Sequence, residues 1–484
     1  MATIDPANSS LNPSGKVGSG AAVGTRPGVS ATGLAPWSRR RFAGTLAATA
    51  AVAGLGAVRV RGANERVRLG FIGLGNRGDQ VLDAFLAQPD ADVVALCDLY
   101  APYVDFAAQK VARRGGRPQR FRDYQRVLGL GDLDAVVIST PDHWHALQMI
   151  QACEAGKDVY VEKPLSLCVA EGRAMVEAAR RHERVVQVGI HRRSSAMCRE
   201  AAELVRSGGL GKVTVARAFH VQNEWPAGIG RVPDGPPPGD WDWDAWLGPA
   251  PEMPYNANRA FYRFRWFYPF SGGQLTNFGT HYLDFIHWAL GSDAPLAVTA
   301  MGGKFALEDN REIPDTLEVM WQYPGQTLVT FSQFNANGAR ADALGAEVEV
   351  RGTKGTLYLF GNRYEVVPEA GPELPFPARS PLDRSADGKY RASFRKWLEP
   401  KKVSGNSDTE PHARDFLDCV KSRARCTCDV EIGHRSTTAT LLGKVALRTQ
   451  SHLVWDASAE RFANHEAANR ALRCEYRPPY RFPG

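Results

Sequence analysis

The fold of this chain is decided by the stretch VRLGFIGLGNRG, residues 67–78. Its apolar first half predicts a strand, and the residues that follow it predict a helix. Three glycines lie between the two elements. Gly73 makes the tight turn, Gly75 lets the backbone approach a pyrophosphate, and Gly78 lets the helix pack on the strand. The N-terminus of the helix then faces the phosphates of a dinucleotide.

A carboxylate closes the next predicted strand at Asp98, 20 residues after Gly78. Here it can accept hydrogen bonds from an adenosine ribose, and it would repel a 2′-phosphate, so the pattern favours NAD over NADP. We expect Asn76 and Arg77, inside the glycine loop, to contact the cofactor as well. The alternative is a strand–helix–strand unit whose glycine turn is incidental.

Strands and helices alternate up to residue 190. Strands are predicted over 68–73, 92–98, 134–140, 158–162 and 185–190, with helices over 79–87 and 170–181 among the segments between them. This alternation implies a parallel, doubly wound sheet. Later strands, predicted over 213–222, 297–305, 316–323, 327–334, 347–351 and 355–360, mostly lack helix-sized crossovers, which indicates a largely antiparallel sheet. Residues 370–410 look irregular, and residues 412–451 are predicted to be helical.

The predicted fold class is therefore α/β, with an N-terminal Rossmann dinucleotide-binding domain and a C-terminal α/β domain that has a large, mostly antiparallel open sheet. We expect a disordered leader over residues 1–63, the NAD-binding domain over 64–188, and a substrate-binding and oligomerisation domain over 189–484. The aromatic loop, residues 225–268, interrupts the second domain. Because so long a loop is usually functional, we expect it to line or cover the substrate cleft or to pack against a partner subunit.

Polar residues follow the third and fourth predicted strands at their carboxyl ends, where ligands bind in a doubly wound sheet. We assign Thr140, Pro141, His145 and Glu162 to the cofactor site, with capping or packing as the alternative for the histidine. Lys163 should face the nicotinamide. Partial desolvation lowers the pKa of such a lysine, which can then take the proton when a CH–OH group is oxidised. The alternative is an exposed surface lysine.

A second polar set, Asn277, His281 and Asp284, follows a pair of glycines. The spacing of four and three residues places all three side chains on one face if the stretch is helical. We expect them to act with Lys163 in catalysis, with His281 as the proton relay.

In this order, these features resemble the Gfo/Idh/MocA oxidoreductases, the relatives of glucose–fructose oxidoreductase and inositol dehydrogenase. The resemblance runs from residue 67 to about residue 291, and it implies a substrate bound between a Rossmann domain and an open-sheet domain. It also implies that Lys163 binds and deprotonates the reacting hydroxyl, with His281 as its relay partner. We add His191, Arg192 and Trp266 to these two as candidate substrate-binding residues.

The chain departs from the family pattern at Asn277, where many members have an aspartate four residues before the histidine. An amide can orient His281 but holds no negative charge beside Lys163, so Asp284 or Glu162 is left as the candidate counter-ion. Residues 241–249 and 476–480 resemble the exported, twin-arginine branch of the family.

Three functions are compatible with these residues. The first is an NAD-dependent oxidoreductase that acts on a CH–OH group of a sugar, glycoside or cyclic polyol and holds NAD tightly. The second is a glycoside hydrolase or lyase that works by transient oxidation and elimination. The third, a non-catalytic protein that retains a Rossmann fold, is disfavoured by Lys163 and His281.

Basic residues are concentrated near the N-terminus. The net charge is +7, and the residues before Asn64 carry +6 of it, so the remainder has no electrostatic footprint for nucleic acid. Residues 38–42, SRRRF, precede a weakly apolar run of 16 residues. This pattern is typical of a twin-arginine secretion signal, with a basic linker before a packed helix as the alternative. We expect a periplasmic or extracellular homo-oligomer with no stable membrane insertion, no nucleic-acid partner and no metal.

Overall fold

A six-stranded parallel sheet carries the glycine loop. The computed structural model describes residues 66–239, 241–342, 344–378 and 384–482, so the predicted leader with its paired arginines lies outside the described residues. The strand order is β3-β2-β1-β4-β5-β6. These strands are β1 Val67–Ile72, β2 Ala91–Cys97, β3 Gln119–Phe121, β4 Ala135–Ile138, β5 Asp158–Val161 and β6 Val186–Val188.

Helices connect these strands and cover the sheet. They are α1 Asn76–Leu86, α2 Ala101–Arg113, α3 Tyr124–Leu128, α4 His145–Glu154 and α5 Val169–Arg181. Strands β4 and β5 are buried at every residue, as expected for a parallel sheet with both faces covered. The expected parallel, doubly wound Rossmann sheet is thus present.

A ten-stranded mixed sheet forms the second half. Its order is β16-β13-β12-β11-β7-β10-β9-β8-β17-β18, and the pair of β7 with β10 is parallel whereas the others are antiparallel. The strands are β7 Val213–Val221, β8 Ala297–Gly303, β9 Thr316–Tyr323, β10 Thr327–Phe334, β11 Val348–Gly352, β12 Gly355–Leu359, β13 Arg363–Pro368, β16 Lys401–Ser404, β17 Leu453–Asp456 and β18 Arg461–Phe462. A separate hairpin pairs β14 Ala370–Pro372 with β15 Phe394–Lys396.

One face of the large sheet packs on helices. Along β9, buried and exposed residues alternate, which is the pattern of a sheet with one solvated face. The helices of this half are α6 Ala196–Arg206, α7 Trp243–Leu247, α8 Gly273–Asn277, α9 Gly279–Leu290, α10 Arg384–Ala392, α11 Glu410–Ser422, α12 Val430–Thr449 and α13 Glu466–Arg470. None of the helices in the described part of the chain is long and apolar enough to cross a membrane.

Helix α12 packs against both sheets. Its Gly433 lies directly on Val188 of β6, and a Cβ added to Gly443 would lie 2.9 Å from Val319 of β9. Because these two positions lack a side chain, the same helix can pack closely against a strand of each sheet. The described residues belong to one compact unit.

The structure differs from the sequence prediction in the bounds and the number of several helices and strands. The helix predicted over 412–451 is two helices, because Arg423 adopts a left-handed φ of +61° and Asp429 caps the second helix by accepting from the Glu431 N–H. The stretch predicted as irregular, residues 370–410, contains α10 and three short strands. Strand β3 was not predicted, since three residues are too few for a periodic pattern.

Close packing at Gly433 leads to a prediction about stability. Gly433→Ala should lower the free energy of unfolding by about 1–3 kcal/mol, because the added methyl overlaps the stiff side chain of Val188. The matched control is Gly388→Ala in α10, where no atom lies within 4 Å of the added Cβ and a gain of about 0.4–1 kcal/mol is expected. Urea unfolding of both variants measures the difference. Equal effects of the two substitutions would contradict the packing described for α12.

Candidate active site

One cavity of about 700 Å³ brings part of the predicted site together at the carboxyl edge of the parallel sheet. Its wall contains the glycine loop, Asp98 after β2, Thr140 after β4, Lys163 after β5, and Asn277 from α8. Carboxyl ends of parallel strands meet at the same edge, which is why segments far apart in sequence converge here.

Geometry excludes a side chain at Gly73 and Gly78 and leaves little room for one at Gly75. Gly73 has a φ of +87°, and a Cβ on it would lie 2.7 Å from the backbone of Ser139 and Thr140. A Cβ on Gly75 would lie 3.3 Å from the ring of Tyr103, and one on Gly78 would overlap the carbonyl of Gly73. The loop therefore presents bare backbone to the cavity.

Asp98 ties the glycine loop to the second strand. Its Oδ2 accepts from the Leu74 N–H at 2.7 Å and its Oδ1 from the Tyr100 N–H at 2.8 Å. Burial raises the pKa of Asp98, and these backbone hydrogen bonds act in the opposite direction. Because each oxygen retains a second lone pair, the carboxylate can still accept from a ribose hydroxyl.

The residues around the loop fit a dinucleotide. Helix α1 begins at Asn76 without a side-chain cap, which leaves its N-terminus open to an anion. Arg77 lines the cavity, its Nε contacts Glu162 Oε1 at 2.8 Å, and its buried Nη2 has no partner among the described residues. Pro141 and Glu162 also belong to the wall.

Lys163 meets Asn277 inside the cavity. Its Nζ donates to Asn277 Oδ1 at 2.6 Å and lies 3.2 Å from the Asn277 carbonyl oxygen. The amide is held in this orientation because Asn277 Nδ2 donates to Gln274 Oε1 at 3.0 Å. Both groups that receive the lysine N–H are uncharged.

Burial is the main cause that lowers the pKa of Lys163, to about 8. The positive charges of Arg265 and Arg77 lower this pKa as well, whereas Glu162 and Asp142 raise it. A lysine in this range is partly neutral near physiological pH and can therefore accept a proton.

The histidine and the aspartate of the second polar set lie behind the cavity wall. His281 packs edge-on against His191 with ring centroids 5.0 Å apart, and its buried Nδ1 has no partner within the described ranges. Burial, followed by the charge of Lys163, holds the pKa of His281 well below its usual range. The structure shows no hydrogen bond between Lys163 and His281.

Asp284 is not brought to Lys163. Both of its oxygens lie 2.9 Å from Arg193 Nε, and Ser436 donates to Oδ1 at 2.8 Å. Asp284 is thus paired with Arg193 and does not neutralise Lys163. Of the two predicted counter-ions, only Glu162 acts on the lysine, whose pKa its charge raises. The stretch is also not one helix but two, α8 and α9, which meet at Phe278.

Four other candidates do not line the cavity, and one of them is His191, which packs against His281. His145 is buried, and its ring nitrogens lie 2.8 Å from the carbonyl oxygens of Pro164 and Thr140, so it joins two strand ends. Arg192 pairs with Glu347 at 2.7 Å. Trp266 is buried beneath the guanidinium of Arg311, which lies 4.2 Å from its ring centroid.

The aromatic loop forms part of the cavity wall, as the sequence predicts. Trp241 and Phe261 lie over Tyr100 and Tyr103, at the start of α2, and the centroids of Phe261 and Tyr100 are 5.4 Å apart. We call these four rings the aromatic clasp. It joins the aromatic loop to the Rossmann half beside Gly75.

Several residues of the site were missed by sequence reasoning. Asp142 lines the cavity and accepts from Ser271 Oγ at 2.5 Å, and Arg265 reaches the cavity from the aromatic loop. Tyr480, in the C-terminal tail, also lines it and packs on Trp144 with centroids 5.6 Å apart. The aromatic and basic composition of the loop indicated that it would contribute residues such as Arg265 to the site. No local sequence pattern predicts that the C-terminal tail reaches the cavity.

A Rossmann sheet with this loop, this strand-end aspartate and a buried lysine defines an NAD-binding oxidoreductase. The family model described as an oxidoreductase family with an NAD-binding Rossmann fold, Gfo/Idh/MocA, matches residues 67–190. The model of the C-terminal alpha/beta domain of the same family matches residues 195–323 and 386–482. The chain therefore belongs to the Gfo/Idh/MocA oxidoreductase family, which confirms the predicted family, the enzyme class and NAD as the cofactor.

Curated relatives match over a short part of the chain. An alpha-N-acetylgalactosaminidase from Shewanella oneidensis is 34% identical over 125 residues, and a glycosyl hydrolase family 109 protein from Shewanella sp. (strain ANA-3) is 35% identical over 126. Each match spans 25% of this chain and 27% of the relative.

The fold as a whole is shared with solved structures. Levoglucosan dehydrogenase is 17% identical with a TM-score of 0.58, and its match covers 80% of this chain and 99% of that one. At this identity the match shows a common fold.

The two hydrogen bonds of Asp98 lead to a prediction about cofactor binding. Asp98→Ala should weaken NAD binding at least about tenfold and reduce the preference over NADP, because it removes a ribose acceptor and frees the glycine loop. Calorimetric titration of both cofactors measures this. Asp105→Ala serves as the control, since that carboxylate is exposed and pairs with Arg120. Unchanged NAD affinity and preference in Asp98→Ala would argue against the assignment.

Proposed function

We propose that the protein oxidises a CH–OH group of a sugar, glycoside or cyclic polyol with NAD that stays bound. The observation that carries this proposal is Lys163, which is half-buried in the wall of the cavity that contains the glycine loop and is held by an uncharged amide at 2.6 Å. The base Lys163 and the glycine loop thus line one cavity, which also has space for a small substrate.

Bound NAD supplies a hydride acceptor, and because it stays bound the hydride must return to a carbonyl group, of a second substrate or of the oxidised product, before the next turnover. The residues of the chain position the substrate and move its proton. Neutral Lys163 accepts the proton of the substrate hydroxyl at Nζ. The oxygen of Asn277 keeps Nζ in place without stabilising the charged ammonium as a carboxylate would. This difference explains how the lysine can act without the aspartate that many family members have.

A second candidate is glycoside cleavage by transient oxidation and elimination, with no net change of NAD. Its support is the match to glycosyl hydrolase family 109 proteins, although that match spans only about a quarter of either chain.

One experiment separates the two functions. A panel of sugars and aryl glycosides is incubated with the purified protein, and NADH absorbance and aglycone release are followed together. Oxidation converts the retained NAD to at most one equivalent of NADH per protein, and continued turnover requires a carbonyl compound that takes the hydride back, whereas cleavage releases the aglycone without NADH.

We also propose that the protein is exported through its twin-arginine leader and forms a homo-oligomer. The basic residues 38–42 support export. The outer face of the ten-stranded sheet carries exposed apolar side chains at Met301, Met320 and Leu328, which supports assembly. Cell fractionation and sedimentation of the mature protein test these two statements.

The lowered pKa of Lys163 leads to a prediction about pH dependence. The base acts in its neutral form, so kcat/KM should rise with pH and reach half of its maximum near pH 8, the pKa of about 8 in the structure.

Lys163→Ala should lower turnover at least about a hundredfold and leave NAD binding intact. A variant that keeps most of its activity would remove Lys163 from the mechanism.

Asn277→Asp is the matched variant for this profile. A carboxylate 2.6 Å from Nζ stabilises the ammonium form, raises the pKa of Lys163, and should move the rise in kcat/KM to higher pH. An identical profile in wild type and Asn277→Asp would show that another group controls the titration.

A second prediction concerns retention of the cofactor. An exported enzyme has no NAD pool to exchange with, and the aromatic clasp and the C-terminal tail both lie over the cavity. Protein purified without added cofactor, then denatured, should release NAD in near-stoichiometric amount. An empty protein that needs millimolar NAD and releases NADH in each turnover would contradict this.

Phe261→Ala tests the clasp itself. The ring contacts three others, and since each aromatic pair contributes about 0.5–1.5 kcal/mol, we expect NAD to dissociate at least about tenfold faster. Trp225→Ala is the control, because that ring belongs to the same loop but is 59% exposed and does not line the cavity.

A further inference from the structure

Arg265 presents a cation to the cavity. It lies on the short 3-10 turn Phe261–Trp266 and is half-buried in the wall. Its guanidinium carbon is 4.4 Å from the ring centroid of Tyr262 and 4.7 Å from that of Phe264, and Nη1 donates to the Tyr262 carbonyl at 3.1 Å. The two rings cover part of the guanidinium, so its remaining N–H groups are the part available to a ligand.

This arginine has no carboxylate partner within the described part of the chain, unlike two others near it. Arg259 pairs with Asp234 at 2.8 Å, and Arg311 pairs with Asp309 at 2.8 Å. Arg263, two residues away, donates to the amide oxygen of Asn258 and does not line the cavity.

The carboxylates of the cavity wall already have partners. Glu162 pairs with Arg77, and Asp142 accepts from Ser271. Backbone N–H groups donate to the carboxylates of the other three, which are Asp98, Asp123 and Asp242.

The charge of Arg265 acts on Lys163. It lowers the pKa of that lysine more than Arg77 does. Two cations that share a low-dielectric cavity raise each other's electrostatic free energy, and an anion between them removes this cost.

We propose that Arg265 binds an anionic substituent of the substrate, so that the preferred substrate is an acidic sugar with a carboxylate group. This inference rests on the proposed function and adds the substrate class to it. The planar guanidinium has parallel N–H groups that match a carboxylate, which a lysine does not offer. The pyrophosphate of NAD is the other anion expected in the cavity, but its expected position is at the glycine loop and the start of α1, where Arg77 lines the wall with an unpartnered Nη2.

The test uses the protein with its retained NAD. D-Glucuronate, D-galacturonate and D-mannuronate are titrated by calorimetry against their neutral parent sugars, with glucose 6-sulfate as a further anion. We expect at least one uronate to bind roughly ten- to a hundredfold more tightly than its neutral parent, the range for a charge-assisted hydrogen bond. Arg265→Gln should remove this difference and leave the NAD content unchanged, and Arg265→Lys should restore only part of it.

Arg263→Gln is the matched control and should bind uronates as the wild type does. Equal binding of acidic and neutral sugars, or tighter binding of the sulfate than of every uronate, would overturn the inference. It would also be overturned if Arg265→Gln lost NAD instead of sugar discrimination, because Arg265 would then serve the pyrophosphate. Reduction of the retained NAD by any sugar is measured separately. This measurement tests the oxidoreductase function, whereas the binding measurements test only the role of Arg265.

Discussion

The carboxyl edge of the six-stranded parallel sheet is the constraint on which the site depends. Parallel strands all end at the same edge, so Gly73, Asp98, Thr140 and Lys163 meet although they are spread over about 90 residues. The second half of the chain is needed to complete this edge. Asn277, which is 114 residues from Lys163, contributes to the cavity wall from the second half of the chain.

The electrostatic balance of the cavity follows from how its charges are paired. The carboxylates of the wall already interact with Arg77, Ser271 or backbone N–H groups, so none forms an ion pair with Lys163. Lys163 is instead held by an amide, and burial dominates its pKa. A site with two incompletely neutralised cations favours the neutral form of the lysine and also attracts an anion.

Closure of the cavity depends on contacts between aromatic rings. Phe261 adopts a left-handed φ of +49°, a backbone conformation that costs a bulky residue about 1–3 kcal/mol. Its contacts with Tyr100, Tyr103 and Trp241 oppose this cost. The loop is therefore held against the Rossmann half, and opening it requires several ring contacts to break together. This packing supports the proposal that the cofactor is retained.

The sequence by itself determined the Rossmann half, the cofactor loop, and the lysine with its amide partner. The signals for these features are local, although their contacts are not: the three glycines lie within six residues of one another, and buried parallel strands appear as short apolar runs that end in polar residues. Only the tertiary structure decided where the remaining charges act. Asp284 shares a helix with His281, but a contact with Arg193 from a distant segment removes its charge from the lysine. Arg265 and Tyr480 reach the cavity because the aromatic loop and the tail fold over it, and contacts across such separations leave no periodic signal in the sequence. Asp142 lies at the predicted strand end after β4, but only its contact with Ser271 shows which way its carboxylate is used.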